Sequence, residues 1–226
     1  MGNLLSRDAL ARIVPFVLFM VLLVVRGHWP AEGLWGVDAR WIYGVSVLVV
    51  GGSLVWFWRD YAELRRHAWP NWLDLILSVL VGVGVFWLWI NLNDRWMMLG
   101  EPAASFVPVD GEGRIEWGLV AVRWAGAALL VPVMEELFWR SFLMRWIDKP
   151  SFEQVDPRLV SLKAMGLSTL VFTLAHTQWL AAILAGLAYA WLYRRSGSLW
   201  SAVIAHGVTN GLLGAWVLVT GYWQFW

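Results

Sequence analysis

Apolar residues along the chain fall into seven blocks, at about residues 9–26, 41–58, 72–92, 117–147, 161–178, 180–193 and 199–220. Most of them approach the roughly 20 residues a helix needs to cross a hydrocarbon core of about 30 Å. Charged positions collect between the blocks, as they do around membrane spans. A backbone in lipid must satisfy its own hydrogen bonds, so runs of this kind read as helices. The pattern predicts an all-α polytopic transmembrane bundle of about seven spans, forming one integral membrane domain over residues 1–226.

Composition agrees. The chain is 60% hydrophobic and 15% charged, against roughly 25% charged in soluble domains. A net charge of +1 without any basic, aromatic-interleaved run argues against a nucleic-acid partner. The absence of cysteine excludes disulfides, thiol catalysis, thiolate metal sites and S-acylation. The first block follows Arg7 and Arg12 like a signal peptide, but Val24-Val25-Arg26-Gly27 offers no small-residue cleavage site, so it reads as an uncleaved span.

Loop charge sets an expected orientation. With the N-terminus inside, eleven basic residues face the cytoplasm: Arg7 and Arg12, then Arg59, Arg65 and Arg66, then Arg145, Lys149, Arg158 and Lys163, then Arg194 and Arg195. Arg26, Arg40, Arg95 and Arg114 remain outside, with Arg123 and Arg140 within the membrane. The positive-inside rule therefore favours a cytoplasmic N-terminus and an external C-terminus. The segment from Asn93 to Arg114 reads as a loop outside the membrane. Many of the twenty tryptophans, among them Trp41, Trp58, Trp72 and Trp200, lie at block ends and read as interfacial anchors.

Ionisable groups inside spans mark functional sites by default. The fourth block carries Pro132, Glu135, Glu136 and Arg140. On a helix Glu136 and Arg140 stand at i and i+4, the favourable arrangement for an ion pair. Glu135 is turned about 100° away and keeps no local partner. Pro132 removes a backbone donor and frees the carbonyl of Ala128, predicting a kink or local cavity. The fifth block carries Phe172 and His176, and the seventh carries His206 and Asn210, four apart on one helical face.

This set suits peptide-bond hydrolysis, which needs an activated water, donors for the tetrahedral oxyanion and a proton for the leaving amine. Glu135 can serve as base and then acid, His176 can hold the water, and His206 with Asn210 can donate to the oxyanion. No His-Glu-x-x-His, Gly-x-Gly-Asp or Gly-x-Ser-Gly motif is present, against zincin, presenilin-like and rhomboid-like chemistry. A zinc site of Glu135, His176 and His206 with one open position satisfies the same chemistry, so glutamate-type catalysis without a cofactor and zinc-dependent catalysis both stand.

Three motifs in order, Glu135-Glu136-x-x-x-Arg140, Phe172-x-x-x-His176 and His206-x-x-x-Asn210, resemble the CAAX prenyl-protease and bacteriocin-processing (CPBP, or ABI) family. The resemblance covers about residues 115–215, leaving three additional N-terminal spans within residues 1–92. Compact members of this length resemble the CAAX-related proteins found with exosortase sorting systems. The resemblance implies an intramembrane protease with Glu135 as its catalytic glutamate and Glu136, Arg140 and Phe172 in support. It also implies a membrane-tethered protein or peptide as substrate and a place in the bacterial cytoplasmic (inner) membrane. Some members look like immunity or scaffold factors, so a non-proteolytic membrane role stands as the alternative, with an ion-coupled transporter behind it. Depth adds a constraint: a fourth span running from Trp117 and ending near Glu135 would separate Glu135 from His176, so a shared site places the membrane segment at about Trp124 to Ile147 and predicts a long, buried fourth helix.

Overall fold

The computed structural model describes residues 6–226 apart from 31–32, 35 and 101–105. The predicted loop from Asn93 to Arg114 therefore lies partly outside the described residues. Among the described residues seven helices organise the protein: α1 Arg7–Gly27, α2 Ile42–Trp56, α3 Trp72–Asn91, α4 Trp117–Asp148, α5 Leu162–Leu174, α6 Trp179–Ser196 and α7 Leu199–Thr220. Among the described residues the only β pairing is two isolated bridges, Leu34 with Val37 and Val109 with Ile115.

The helix starts follow local chemistry. Ser6, Asn71 and Ser161 each accept a hydrogen bond from the backbone N–H three residues on, Ala9, Asp74 and Ala164 respectively, satisfying a donor that the first turn leaves free. Two helices end on glycines in the left-handed conformation, Gly197 at φ 73° and Gly221 at φ 72°.

Seven helices match the predicted number, but among the described residues five rather than seven are long and apolar enough to cross a membrane: α1, α2 with its preceding turn, α3, α4 and α7. The predicted fifth span, 161–178, stops at Leu174 after 13 residues, about 20 Å of helix. Residues 175–178 form a turn held at the end of α3, where Gln178 Nε2 donates to the carbonyls of Trp89 at 2.8 Å and Leu92 at 3.3 Å. The sixth helix covers 18 residues and carries Arg194 and Arg195 in its last turn, which lowers its apolar character.

α4 and α7 bury more of their length inside the protein than α1, α2 or α3, and α4 is the long, buried fourth helix that depth demands. Leucine and valine face outward from the bundle, with Leu48, Val55, Leu80, Leu129 and Val219 each more than 60% exposed. Such a surface belongs in lipid. Ion pairs close one end of the bundle: Arg7 with Asp60, Arg12 with Glu63, and Asp74 with Arg195. At the other end Arg40 pairs with Asp38 and Glu116, and Arg114 with Asp110.

α3 and α7 approach closely because Gly82 has no side chain. A Cβ there would lie 2.5 Å from the Ala205 carbonyl oxygen and 2.8 Å from Val208 Cβ. Gly84, two residues on, has nothing within 4 Å of the same position. Gly82→Ala is therefore expected to destabilise the protein by about 1–3 kcal/mol through overpacking, lowering the melting temperature in detergent, while Gly84→Ala leaves it unchanged or slightly higher.

Candidate active site

α4 is not a uniform α-helix. It widens into π-helical turns over Gly126–Leu130 and Leu137–Met144, on either side of Pro132 and the two glutamates. In the first turn the N–H of Val131 bonds to the carbonyl of Gly126, a five-residue step. The next step would take the missing N–H of Pro132 to Ala127. Pro132 cannot make that bond, and Asn210 Nδ2 donates to the Ala127 carbonyl at 2.9 Å. The Ala128 carbonyl instead faces Gly207, where a Cβ would sit 2.8 Å away. Widened turns of this kind are frequent at functional sites.

The predicted Glu136–Arg140 pair forms, with Arg140 Nη1 donating to Glu136 Oε1 at 2.9 Å, both residues fully buried. It is not isolated. His206 Nδ1 reaches the same oxygen at 2.8 Å, so α4 and α7 meet at one carboxylate. Arg140 Nη2 donates to the Gly186 carbonyl of α6 at 3.3 Å, and its guanidinium lies 4.6 Å from the Phe172 ring centroid and 5.4 Å from that of Tyr189. One cation therefore contacts α4, α5 and α6, which a lone ion pair in the same position would not do.

His206 and Asn210 share a helical face as expected but hold different partners, because Glu136 and Ala127 lie about two helical turns apart on α4. His176 departs from its expected place. It lies in the turn two residues beyond α5, where its Nδ1 bonds to the Phe172 carbonyl at 2.8 Å. A carbonyl oxygen only accepts, so Nδ1 carries the proton and Nε2 is left as the acceptor. Phe172, with ring centroid 4.3 Å from His176, and Trp89 at 5.7 Å flank the imidazole.

Shortness of α5 removes the depth conflict. Ser161 donates to both carboxylate oxygens of Asp148, at 2.7 Å from its N–H and 2.5 Å from its hydroxyl, fixing the end of α4 beside the start of α5. From that junction, thirteen residues back along α4 reach Glu135, and the 13 residues of α5 reach the turn bearing His176. Both lie about 20 Å from the junction.

Glu135, His176, His206 and Asn210 together line a cavity of about 150 Å³ with Tyr189 and Thr209. Glu135, His176 and Asn210 also line an adjoining one of about 380 Å³. Glu135 Oε2 is buried without a hydrogen-bond partner. The imidazole of His206 stacks on Tyr189 at 5.1 Å, and the Tyr189 hydroxyl donates to Thr209 Oγ1 at 2.7 Å. Tyr189, Thr209, Trp89 and Gln178 are absent from the sequence-derived set. Polar-tipped or aromatic residues in apolar helices are too common to single them out, although Gln178 beside His176 is a polar signal within a predicted span.

Among the described residues no three His, Asp or Glu side chains are grouped closely enough to hold a metal ion. The Nδ1 atoms of both histidines are already engaged.

Residues 117–212 match the family model for type II CAAX prenyl endopeptidases, Rce1-like. No curated protein and no solved structure gives a significant match. The matched stretch runs from the start of α4 into α7 and contains every residue of the three motifs, in agreement with their resemblance to CAAX proteases. Removing one partner from the buried network should be costly: Arg140→Ala is expected to destabilise by about 3–5 kcal/mol by leaving Glu136 uncompensated. Arg140→Met with Glu136→Gln should recover part of that loss, read as melting temperature in detergent.

Proposed function

From the Rce1-like, CAAX-type intramembrane endopeptidase core at residues 117–212, we propose that this protein hydrolyses a peptide bond near the terminus of a membrane-tethered protein or peptide, with Glu135 activating the water. The carrying observation is the division of labour between adjacent carboxylates. Each carboxylate keeps one buried oxygen without a hydrogen-bond partner, but the other oxygen of Glu136 is held by Arg140 and His206, whereas Glu135 lines a cavity that it shares with two histidines.

In this reading Glu135 takes a proton from water as the oxygen attacks the scissile carbonyl, while His176 Nε2 accepts the second water hydrogen and orients the nucleophile. The carbonyl π electrons move onto oxygen. Asn210 Nδ2 has a second hydrogen beyond the one given to Ala127, and His206 in an imidazolium form would carry a second N–H at Nε2; both could then stabilise the oxyanion. Collapse of the intermediate breaks the C–N bond, and Glu135 returns its proton to the leaving amine. Tyr189 and Glu136 act on His206 as positioning groups. No step in this scheme is routed through a metal.

The orientation proposed is a cytoplasmic N-terminus in a bacterial cytoplasmic membrane, supported by the gathering of Arg7, Arg12 and Arg195 at one end of the bundle. Because the chain has no cysteine, Gly111→Cys should label with an impermeant maleimide in intact cells, and Ser151→Cys only after permeabilisation. The reverse pattern would invert the topology.

Glu135→Gln is expected to lower cleavage by about two to four orders of magnitude with melting temperature unchanged, and a zinc chelator should leave wild-type cleavage intact. The assay is a comparison of membrane-protein termini in cells expressing wild type or the variant. Full cleavage by Glu135→Gln would sink the catalytic assignment, and retention of the biological effect without cleavage would point to a binding or immunity role.

A further inference from the structure

The two ends of the bundle differ in charge and in what they enclose. At one end the start of α1, the connection from α2 to α3 and the junctions after α4 and α6 are tied together: Arg7 pairs with Asp60 and Asp74 with Arg195, while Arg158 donates to the Ser196 carbonyl and Trp200 to that of Leu64. Arg59, Arg65, Lys149 and Arg194 lie in the same connections, and arginine and lysine concentrated beside spans mark the cytoplasmic side. At the opposite end Arg40 pairs with Glu116, the Leu99 N–H donates to the Thr177 carbonyl at 2.7 Å, and the Phe106 and Trp226 ring centroids lie 6.0 Å apart. The cavity of about 380 Å³ beside Glu135 belongs to this second end. Its lining outside the helices is Thr177 and Gln178 from the turn after α5 with Gln224, Phe225 and Trp226 after α7; Thr177 and Gln224 are exposed, so the mouth opens between them. Trp179 Nε1 donates to the Trp96 carbonyl at 3.0 Å beside that turn, and tryptophans at this level place the mouth at the membrane–water interface. Toward the basic end α4 is sealed instead, with Glu136, Arg140, Ser141 and Met144 each 2% exposed or less.

We propose that the peptide bond is cut at the outer face of the membrane, so that the substrate is an exported protein or peptide still tethered to the bilayer. The inference rests on the protease reading and on the cytoplasmic N-terminus; the direction in which the cavity opens relative to the basic end depends on neither. A tail on the cytoplasmic side would have to pass the buried network of Glu136, Arg140 and His206 to reach Glu135, with its backbone donors and acceptors unsatisfied on the way. A translocated tail meets the mouth at the interface where its own membrane anchor ends. The step that supplies the substrate is therefore translocation across the membrane, and hydrolysis follows it.

The experiment uses the full chain, in which the absence of cysteine lets a single introduced one report alone. Gln224→Cys at the mouth, Ala127→Cys within the cavity and Ser151→Cys at the basic end are each treated in intact spheroplasts with a small impermeant methanethiosulfonate. Gln224→Cys and Ala127→Cys should react there, and Ser151→Cys only after lysis; Thr177→Cys takes the place of Ala127→Cys should the latter fail to fold. In parallel, the membrane-protein termini that form with wild type and are lost with Glu135→Gln should be removed by proteinase K added to intact spheroplasts. Termini protected until lysis overturn the proposal, and so does a cavity cysteine that reacts only after lysis. Reversed labelling of Gln224→Cys and Ser151→Cys together overturns the orientation and the proposal with it. Identical termini from wild type and Glu135→Gln overturn the protease reading and the substrate assignment, while the labelling, which involves no cleavage, still reports the side on which the cavity opens.

Discussion

One buried carboxylate organises the centre of this bundle. Glu136 receives Arg140 from its own helix and His206 from α7 on a single oxygen, and Arg140 extends the connection to the Gly186 carbonyl of α6 and the Phe172 ring of α5. A charge at this depth is costly unless paired and hydrogen-bonded, so these contacts make the relative placement of four helices a single problem. The same constraint leaves Glu135, one residue away and about 100° around the helix, facing the cavity.

Irregular helix geometry lets that arrangement exist inside lipid. The turns of α4 widen beside Pro132, whose imino nitrogen cannot donate, and Asn210 from α7 donates to the Ala127 carbonyl. A site residue and a helix-packing device are thus one side chain. Gly82 and Gly207 allow α7 to sit close enough to α3 and α4 for the hydrogen bonds of Thr209 and Asn210 to form across the interfaces.

The short fifth helix is the other decisive element. Because α5 stops at Leu174, His176 enters a turn at the depth of Glu135 instead of continuing through the membrane. Tryptophan and glutamine around that turn, Trp89 and Gln178, brace it against the end of α3. The larger cavity beside it is also lined by Arg123, a cation resting on the Tyr43 ring.

Hydrophobic blocks were enough to read seven helices, the all-α class and the membrane setting, because burial in lipid leaves helical hydrogen bonding as the available solution for an apolar run. The Glu136–Arg140 pair was equally legible, since an i,i+4 spacing needs no partner from elsewhere. What lay beyond reach was decided between helices. The sharing of Glu136 with His206, the service of Ala127 by Asn210, the stacking of Tyr189 and the turn that halts α5 depend on residues distant in the chain and close only in the folded bundle. Local patterning determined which polar groups had to be buried; tertiary packing decided that Glu136 is paired while its neighbour Glu135 faces the cavity.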